Sequence, residues 1–391
     1  MRRTLIVLIA VLTVSAMAGP AMVAGAATPT ATTADGCEYP IDLEDSTGEQ
    51  VTIDEQPESI VALHPSDAQK VFKIGADDRL DGMPVSQYTE ALDVDDQTDI
   101  TEDDGLTPIP EEIIALEPDI VLAANIADEE VVDQLREAGI EVYVFDAAMD
   151  MDDVIDDVET AGQLAGACDG AGVTTEWMDD RIDLVETAAA NESAPLTLYP
   201  MGDGFTPGAG TFQDQIMTTA GLENLAAEAG LEGWDTISDE TVLEEDPEWI
   251  IYGAAWGEEP PVSEALNETT AVQEGNVAAI DDSDVSQPAP RTVYAIEEIF
   301  AVVHSDVHAE IEGDIAALDE NYENSMEALA TAEDDDETEA ETDDETATQA
   351  DTDETEPADE ADDAEEPIPG FGVAVAVAAL IALLGLGRRR P

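Results

Sequence analysis

Short apolar runs alternate with amphipathic stretches between residues 41 and 150, and each apolar run has the length of a buried strand. Apolar residues at helical spacing follow these runs, and some stretches close on a glycine such as Gly75 or Gly139. The pattern predicts strands at 59–63, 119–123 and 141–145 and helices at 67–74, 111–116 and 129–138. Strands and helices in turn indicate an α/β lobe with a largely parallel sheet over residues 41–150.

The pattern changes between residues 151 and 192, where no strand signal appears. Val173, Trp177 and Val185 recur there at helical spacing, so this stretch is predicted to be a helical connector. Residues 193–325 return to alternation, with strands predicted at 196–199, 249–252 and 277–280 and helices at 212–220 and 292–304. The predicted layout is an α/β fold of two Rossmann-like lobes joined by a single long α-helix.

Charge indicates the environment in which the protein works. The chain has 95 acidic and 11 basic residues and a net charge of −84, which argues against nucleic acid because phosphates would repel the protein. Between Cys37 and Ala332 the basic residues are Lys70, Lys73, Arg79, Arg136, Arg181 and Arg291. Concentrated salt relieves such self-repulsion, because the Debye length falls to ~3 Å at 1 M. We therefore interpret the composition as that of a halophilic protein, with an acidic mesophilic protein as the alternative.

The N-terminus has the three parts of a secretory signal peptide. Met1-Arg2-Arg3 precedes an apolar run at 5–18, and Ala24-Gly25-Ala26 is similar to a signal-peptidase cleavage site. We predict that residues 1–26 are removed on export and that residues 27–40 form a leader rich in Thr, Ala and Pro.

The C-terminus also has three parts. Residues 333–366 are almost entirely Asp, Glu, Thr and Ala, which predicts a disordered stalk because they cannot bury enough apolar surface to fold. Pro369-Gly370-Phe371, an apolar run at 372–387 and three arginines follow. This ending, residues 369–391, resembles the PGF-CTERM sorting signal of archaeal surface proteins, which implies removal of the apolar segment by an archaeosortase and anchoring by a lipid. A retained transmembrane helix is the alternative, and both place the protein at the extracellular face of the cell membrane.

Two cysteines and two sequons are relevant to an exported protein. Cysteine pairs outside the cell tend to oxidise, so we predict a disulfide between Cys37 and Cys168, with a lipid-modified Cys37 as the alternative. Asn191 and Asn267 begin N-x-S/T sequons and are candidate glycosylation sites.

Two segments of the chain follow one plan. Residues 111–122 and 240–251 each begin with Glu, have Pro seven positions later, continue with an acidic residue and end in an apolar strand. They form an internal repeat with one copy in each lobe. The plan resembles the E-x-I-x-x-L-x-P-D-L-V pattern of class III solute-binding proteins, which serve cobalamin, siderophore and haem importers. Further stretches similar to this family, in the same order, are 59–63, 73–76, 210–212 and 287–291.

The resemblance covers roughly residues 41–320, is nearest to archaeal cobalamin-binding proteins, and implies a function. The implied protein is a monomeric extracellular binding protein that captures cobalamin in a cleft between two rigid lobes. It delivers cobalamin to the permease of an ABC importer and its ATPase; a ferric siderophore or haem is the alternative ligand. No cofactor and no enzymatic activity are expected.

Two glutamates have a role implied by the same resemblance. Glu111 and Glu240 occupy matching places in the repeat and are implied to dock onto arginines of the permease. The alternative is that they are acids at helix starts, which stabilise the helix dipole by ~0.3–1 kcal/mol.

Candidate ligand contacts lie on loops after the predicted strands, where α/β sheets place their ligands. They are His64, Ser66, Tyr88, Met201, Phe205, Trp256 and Arg291. The aromatic and apolar members suit a broad corrin or a planar chelate better than a sugar, although each is also compatible with ordinary packing. His304 and His308 are four apart on a predicted helix, but for them we predict a solvated face and no metal site.

Overall fold

The computed structural model describes residues 32–34, 36–94 and 96–346, and the side chains of residues 36–94 and 96–332. The predicted signal peptide and the sorting signal at 369–391 lie outside the described residues. Within the described part, no helix combines the length and the apolar character that a bilayer crossing requires.

The first lobe begins with two short antiparallel pairs and continues as a parallel sheet covered by helices. Its strands are β1 (Thr32–Ala34), β2 (Cys37–Tyr39), β3 (Ile41–Glu44), β4 (Gln50–Ile53), β5 (Ile60–Ala62), β6 (Leu80–Met83), β7 (Thr98–Asp99), β8 (Ile120–Ala123) and β9 (Val142–Val144). Its helices are α1 (Pro65–Lys73), α2 (Pro110–Leu116) and α3 (Glu129–Glu137). The main sheet has the order β7-β6-β5-β8-β9, and all of its strand pairs are parallel.

Burial explains why the central strands read as uninterrupted apolar runs. Every residue of β5 and of β8 is buried, because helices cover both faces of a parallel sheet and leave no solvated side. The predicted strands and helices of this lobe are present. The hairpin of β3 and β4, paired from Ile41–Ile53 to Glu44–Gln50, was not predicted.

The connector is helical as predicted, but it consists of two helices, α4 (Met151–Ala165) and α5 (Cys168–Ala189). Gly166 ends α4 in the left-handed region, with φ of +71°, a conformation that glycine adopts without the steric cost of a Cβ. Helix α5 has 22 residues and is therefore about 33 Å long. It contacts both lobes: Thr174 donates to the carbonyl of Lys73 at 2.8 Å, and Arg181 pairs with Glu297.

The predicted disulfide is present. Cys37 in β2 is bonded to Cys168, the first residue of α5, with 5.3 Å between their Cα atoms. The bridge ties the beginning of the first lobe to the connector.

The second lobe repeats the architecture with a smaller sheet. Its strands are β10 (Leu196–Leu198), β11 (Phe205–Pro207), β12 (Glu223–Asn224), β13 (Trp234–Thr236), β14 (Trp249–Gly253) and β15 (Val277–Ile280). Its helices are α6 (Phe212–Thr219), α7 (Leu225–Glu228), α8 (Asp239–Glu245), α9 (Thr270–Glu274), α10 (Asp282–Val285) and α11 (Thr292–Val303). The sheet has the order β12-β10-β14-β15 and is parallel throughout.

A final helix, α12 (Ser305–Thr346), follows α11. Residues 333–346, which begin the predicted disordered stalk, belong to this helix; the rest of the stalk lies outside the described residues. His304 caps α11 and is 9% exposed, so the solvated face predicted for it is wrong. Its ring packs against Phe300, with 5.3 Å between ring centroids.

Candidate ligand-binding site and docking face

His64 and Ser66 lie where β5 delivers the chain to α1. The backbone N–H of His64 donates to the Asp67 carboxylate at 3.2 Å, and the same carboxylate accepts the N–H of Ala124 at 2.9 Å. Asp67 thereby joins the carboxyl ends of β5 and β8. The His64 ring keeps some exposure at this edge, with 12% of its side chain accessible, whereas Ser66 is buried.

Tyr88 lies in a 3₁₀ helix, Gln87–Thr89, in the loop after β6. Its carbonyl accepts a hydrogen bond from the Gln287 side chain at 3.1 Å. Gln287 also accepts from Gln69 at 3.4 Å, and Gln69 in turn accepts the backbone N–H of Arg291 at 2.7 Å. These bonds join the carboxyl-end loops of the first lobe to the second lobe and form the floor between them.

A cavity of about 590 Å³ opens at the carboxyl end of the second-lobe sheet. Met201, Phe205 and Trp256, three of the predicted ligand residues, all line it. Its other walls combine apolar residues with polar ones, among them Asp203, and the Ser263 hydroxyl in the lining donates to Asp239 at 2.7 Å. The volume lies within the range of ~300–1,000 Å³ that small-molecule sites occupy.

Trp256 is the most prominent apolar side chain of this cavity, since 53% of it is exposed. It reaches its position because Gly202 presents no side chain to the indole: a Cβ on Gly202 would lie 2.8 Å from the nearest ring carbon. Gly202 also has a φ of +88°, which further favours glycine. A large ring that remains exposed beside a cavity is available to stack on a ligand.

Arg291 does not line this cavity. It stands at the start of α11, where its guanidinium forms two hydrogen bonds with the Asp284 carboxylate, at 2.7 and 3.1 Å. The same guanidinium lies 5.0 Å from the Tyr294 ring centroid. Burial raises the pKa of Asp284, and the nearby Arg291 opposes that shift.

Three exposed apolar residues of the first lobe were missed by the sequence analysis. Val85 follows β6, Ile126 follows β8 and Met149 follows β9, and they are 42%, 74% and 37% exposed. The sequence offered a signal for them, because each is a large apolar residue a few positions after a strand. Together they give the first lobe an apolar edge on the side where its strands end.

A cation–aromatic cluster joins α1, the connector and the helices after the second sheet. The Lys73 ammonium donates to the Tyr294 hydroxyl at 3.3 Å and lies 4.7 and 4.9 Å from the ring centroids of Trp177 and Tyr322. Burial, with help from the charge of Arg291, lowers the pKa of Lys73 to about 8. The contacts of this cluster hold the two lobes together, and its residues do not line the cavity.

Glu111 and Glu240 occupy equivalent positions in three dimensions. Each is the second residue of a seven-residue helix, α2 or α8, and each is exposed. Both helices end at a non-glycine residue in the left-handed region, Glu117 with φ of 52° and Asp246 with φ of 50°. The two copies of the sequence repeat therefore also share the backbone conformation at the ends of these helices. The sequon residues Asn191 and Asn267 are also exposed.

The periplasmic binding protein family matches residues 60–283, which contain both parallel sheets. The chain belongs to the periplasmic binding protein family. The cobalamin-binding protein of Halobacterium salinarum is 32% identical over 318 residues, covering 77% of this chain and 84% of that protein.

Two solved structures have a fold similar to that of this periplasmic binding protein. The heme-binding protein RhuT from Roseiflexus sp. RS-1 has a TM-score of 0.55 at 20% identity and covers 64% of this chain and 99% of its own. The Helicobacter pylori CeuE complex with Ni-His has a TM-score of 0.60 at 18% identity and covers 73% and 95%. The predicted α/β class is confirmed, and the family is one of solute-binding components of ABC importers, which are exported and work with a permease and an ATPase.

Proposed function

We propose that this protein is the extracellular substrate-binding protein of an ABC importer that captures cobalamin and delivers it to the membrane permease. The observation that carries the proposal is the cavity of about 590 Å³ that is lined by the half-exposed Trp256. The relative from Halobacterium salinarum, described as a cobalamin-binding protein, supports the choice of ligand.

Cobalamin is a large ligand, and we expect it to contact both the cavity of the second lobe and the apolar edge of the first lobe. A corrin with its side chains is larger than the cavity, so one part of it enters beside Trp256 and Phe205. The remainder lies against the apolar residues after the first-lobe strands, Val85 and Ile126. Broad apolar faces gain affinity mainly through the area removed from water, about 25 cal/mol per Å², so two such surfaces suit a large flat chelate.

Calorimetry in molar salt tests the ligand. Cyanocobalamin should bind the protein one-to-one, with a negative heat-capacity change because apolar surface is buried. Heat with a ferric siderophore or with haem, and none with cyanocobalamin, would select the alternative ligand of the same importer class.

The proposal extends to docking, through the equivalent exposed acids Glu111 and Glu240. A permease with two similar halves presents equivalent cations to both lobes, so matched acids fix the orientation of the protein. In concentrated salt an exposed ion pair is nearly screened out, and the contact therefore has to be bidentate or desolvated.

Uptake and affinity measurements separate docking from binding. Replacing both glutamates with alanine should leave the affinity for cyanocobalamin unchanged, because neither residue lines the cavity, while uptake into cells falls strongly. Charge reversal to arginine should be worse, since repulsion from a desolvated cation costs more than a missing partner. Normal uptake by the double alanine variant at a low external concentration of ligand would contradict the docking role. Glu111 and Glu240 would then be acids that only stabilise the starts of their helices.

Anchoring by the C-terminal tail is the third part of the proposal. Processing of the sorting signal by an archaeosortase removes everything after about Pro369 and leaves a lipid anchor. Peptide mapping of the protein from membranes tests this: recovery of a peptide from Phe371 to Arg388 in most molecules would favour a retained transmembrane helix.

A further inference from the structure

The cavity of the second lobe offers a ligand no cationic side chain. Between Arg181 and Arg291 the sequence has no Lys, Arg or His, and this interval contains every residue that lines the cavity. Two of the lining residues, Asp203 and Asp239, are acidic. An anionic group of a ligand that enters the cavity therefore loses its hydration and meets carboxylates without a compensating charge.

The hydroxyl groups of the lining are already used as donors. The Thr206 hydroxyl donates to the carbonyl of Tyr199 at 2.8 Å, and the Ser263 hydroxyl donates to the Asp239 carboxylate at 2.7 Å. The remaining side-chain donor of the lining is the indole N–H of Trp256. The polar side chains of the lining are therefore mainly acceptors, and a ligand that binds among them has to supply the hydrogens.

Asp203 is the acceptor that no protein group occupies. Within residues 36–94 and 96–332, its carboxylate has no hydrogen-bond or ion-pair partner, whereas Asp239 already accepts the Ser263 hydroxyl. Asp203 directly follows Gly202, the residue that the Trp256 ring approaches. The open carboxylate thus lies beside the ring that is available to stack on a ligand.

The turn that carries Asp203 is fixed by backbone hydrogen bonds. Residues 202, 203 and 204 all have positive φ, of 88°, 52° and 78°. The N–H of Met201 donates to the Phe205 carbonyl at 2.8 Å, and the N–H of Ile237 donates to the Gly204 carbonyl at 2.9 Å. Aspartate and asparagine are among the few non-glycine residues that adopt this region readily, so the turn holds an aspartate at the cavity at little cost.

We infer that Asp203 is a specificity-determining residue of the cavity: it accepts N–H groups of the ligand, so the cavity takes the part of a metal chelate that carries amides or an ammonium rather than carboxylates. The inference rests on the proposed function for the location of the site, but it holds for any chelate that enters the cavity. Primary amides surround a corrin, and each offers two N–H donors. Hydrogen bonds from such donors to a carboxylate are charge-assisted and therefore about twice as strong as neutral ones.

Two ligand sets test the inference by calorimetry on the full-length protein in molar salt. The first set is cyanocobalamin and its methyl monoesters, in each of which one peripheral primary amide is replaced by an ester that stays neutral but has no N–H donor. The second set is a linear ferric tris(hydroxamate) that ends in an ammonium group, and the same chelate with that amine succinylated so that it ends in a carboxylate. Which set binds tests the proposed function, and the preference within that set tests the role of Asp203.

At least one monoester should bind about tenfold or more weakly than cyanocobalamin, because the Asp203 carboxylate is desolvated and loses its N–H partner. If the ferric set binds, its ammonium member should be preferred by at least about tenfold. Affinities equal within threefold across whichever set binds would overturn the inference. Binding of the ferric set without the corrinoid set would overturn the proposed function alone, and binding of neither set would contradict both.

A variant then tests the residue itself. Asp203→Asn keeps a residue that tolerates positive φ and replaces one acceptor oxygen with a donor. The preference found in the wild type should fall to within about threefold in D203N, whereas a steric effect of the methyl group would persist in the variant.

The matched control Asp235→Asn makes the same change in β13 of the same lobe, outside the cavity lining, and should keep the wild-type preference. A preference that persists in a D203N protein that melts like the wild type, or that D235N loses equally, would contradict the assignment. If D203N does not fold, the ligand sets measured on the wild type decide.

Discussion

Truncation of Trp256 is the sharpest structural perturbation of the proposed site. The side chain lines the cavity and is 53% exposed. A tryptophan offers ~150–250 Å² of contact area, so a ligand that covers its free half removes about 100 Å² from water. At about 25 cal/mol per Å² this contributes about 2.5 kcal/mol. Trp256→Ala should therefore weaken cyanocobalamin binding by about 50- to 100-fold.

A second tryptophan of the same lobe provides the control. Trp234 is 43% exposed but does not line the cavity, and its indole N–H donates to Gln213 at 3.2 Å. Trp234→Ala should leave the affinity within about threefold of wild type. Calorimetry in molar salt measures both variants, with thermal unfolding to confirm that each is folded. An unchanged affinity for W256A, or an equal loss for W234A, would refute the assignment of the cavity as the ligand site.

Three predictions concern stability, measured by urea unfolding in molar salt. Replacing Cys37 and Cys168 with serine opens a loop with a sequence separation of 131 residues and should cost about 2–5 kcal/mol; a loss below about 1 kcal/mol would contradict this. Gly170→Ala places a Cβ 2.0 Å from the backbone carbonyl oxygen of Ile74, the residue that follows α1, and should cost about 1–3 kcal/mol. Gly172→Ala adds a Cβ in open space and should stabilise the protein by about 0.5–1 kcal/mol; equal effects of the two changes would refute the close approach at Gly170. The lowered pKa of Lys73, about 8 against 10.5, means that the unfolded chain binds more protons between these values. Stability should therefore rise by about 1 kcal/mol from pH 8 to about 9.5, below the titration of tyrosine, and Lys73→Met should remove this rise; a rise that persists in the variant would exclude Lys73 as its cause.

The elements of the two lobes could be predicted because their signals are local. A buried parallel strand is an apolar run, and the repeat at 111–122 and 240–251 places helix, turn and strand by spacing alone. The β3–β4 hairpin was missed although its strands alternate and Gly48, with φ of +82°, marks the turn. The break at Gly166 was missed because apolar periodicity continues across it on both sides.

The site was harder to predict because its geometry depends on residues far apart in the chain. Met201, Phe205 and Trp256 were predicted from their places after strands, and one cavity brings these three together. Nothing local shows that Arg291 is held by Asp284 or that Ser66 is buried. The pairing of Arg291 and the burial of Ser66 both result from tertiary packing. That packing determines whether a polar side chain faces the ligand site or contacts another residue of the protein.

The most direct test of the central claim is the identity of the compound that co-purifies with the full-length protein from cells grown with mixed corrinoid and iron sources. Absorption spectrum and mass of the released compound are measured after purification in molar salt. A corrin spectrum with the mass of a cobalamin is the predicted result. A porphyrin spectrum, or a ferric chelate with no corrinoid, would contradict the account of this protein as a cobalamin-binding component of an importer.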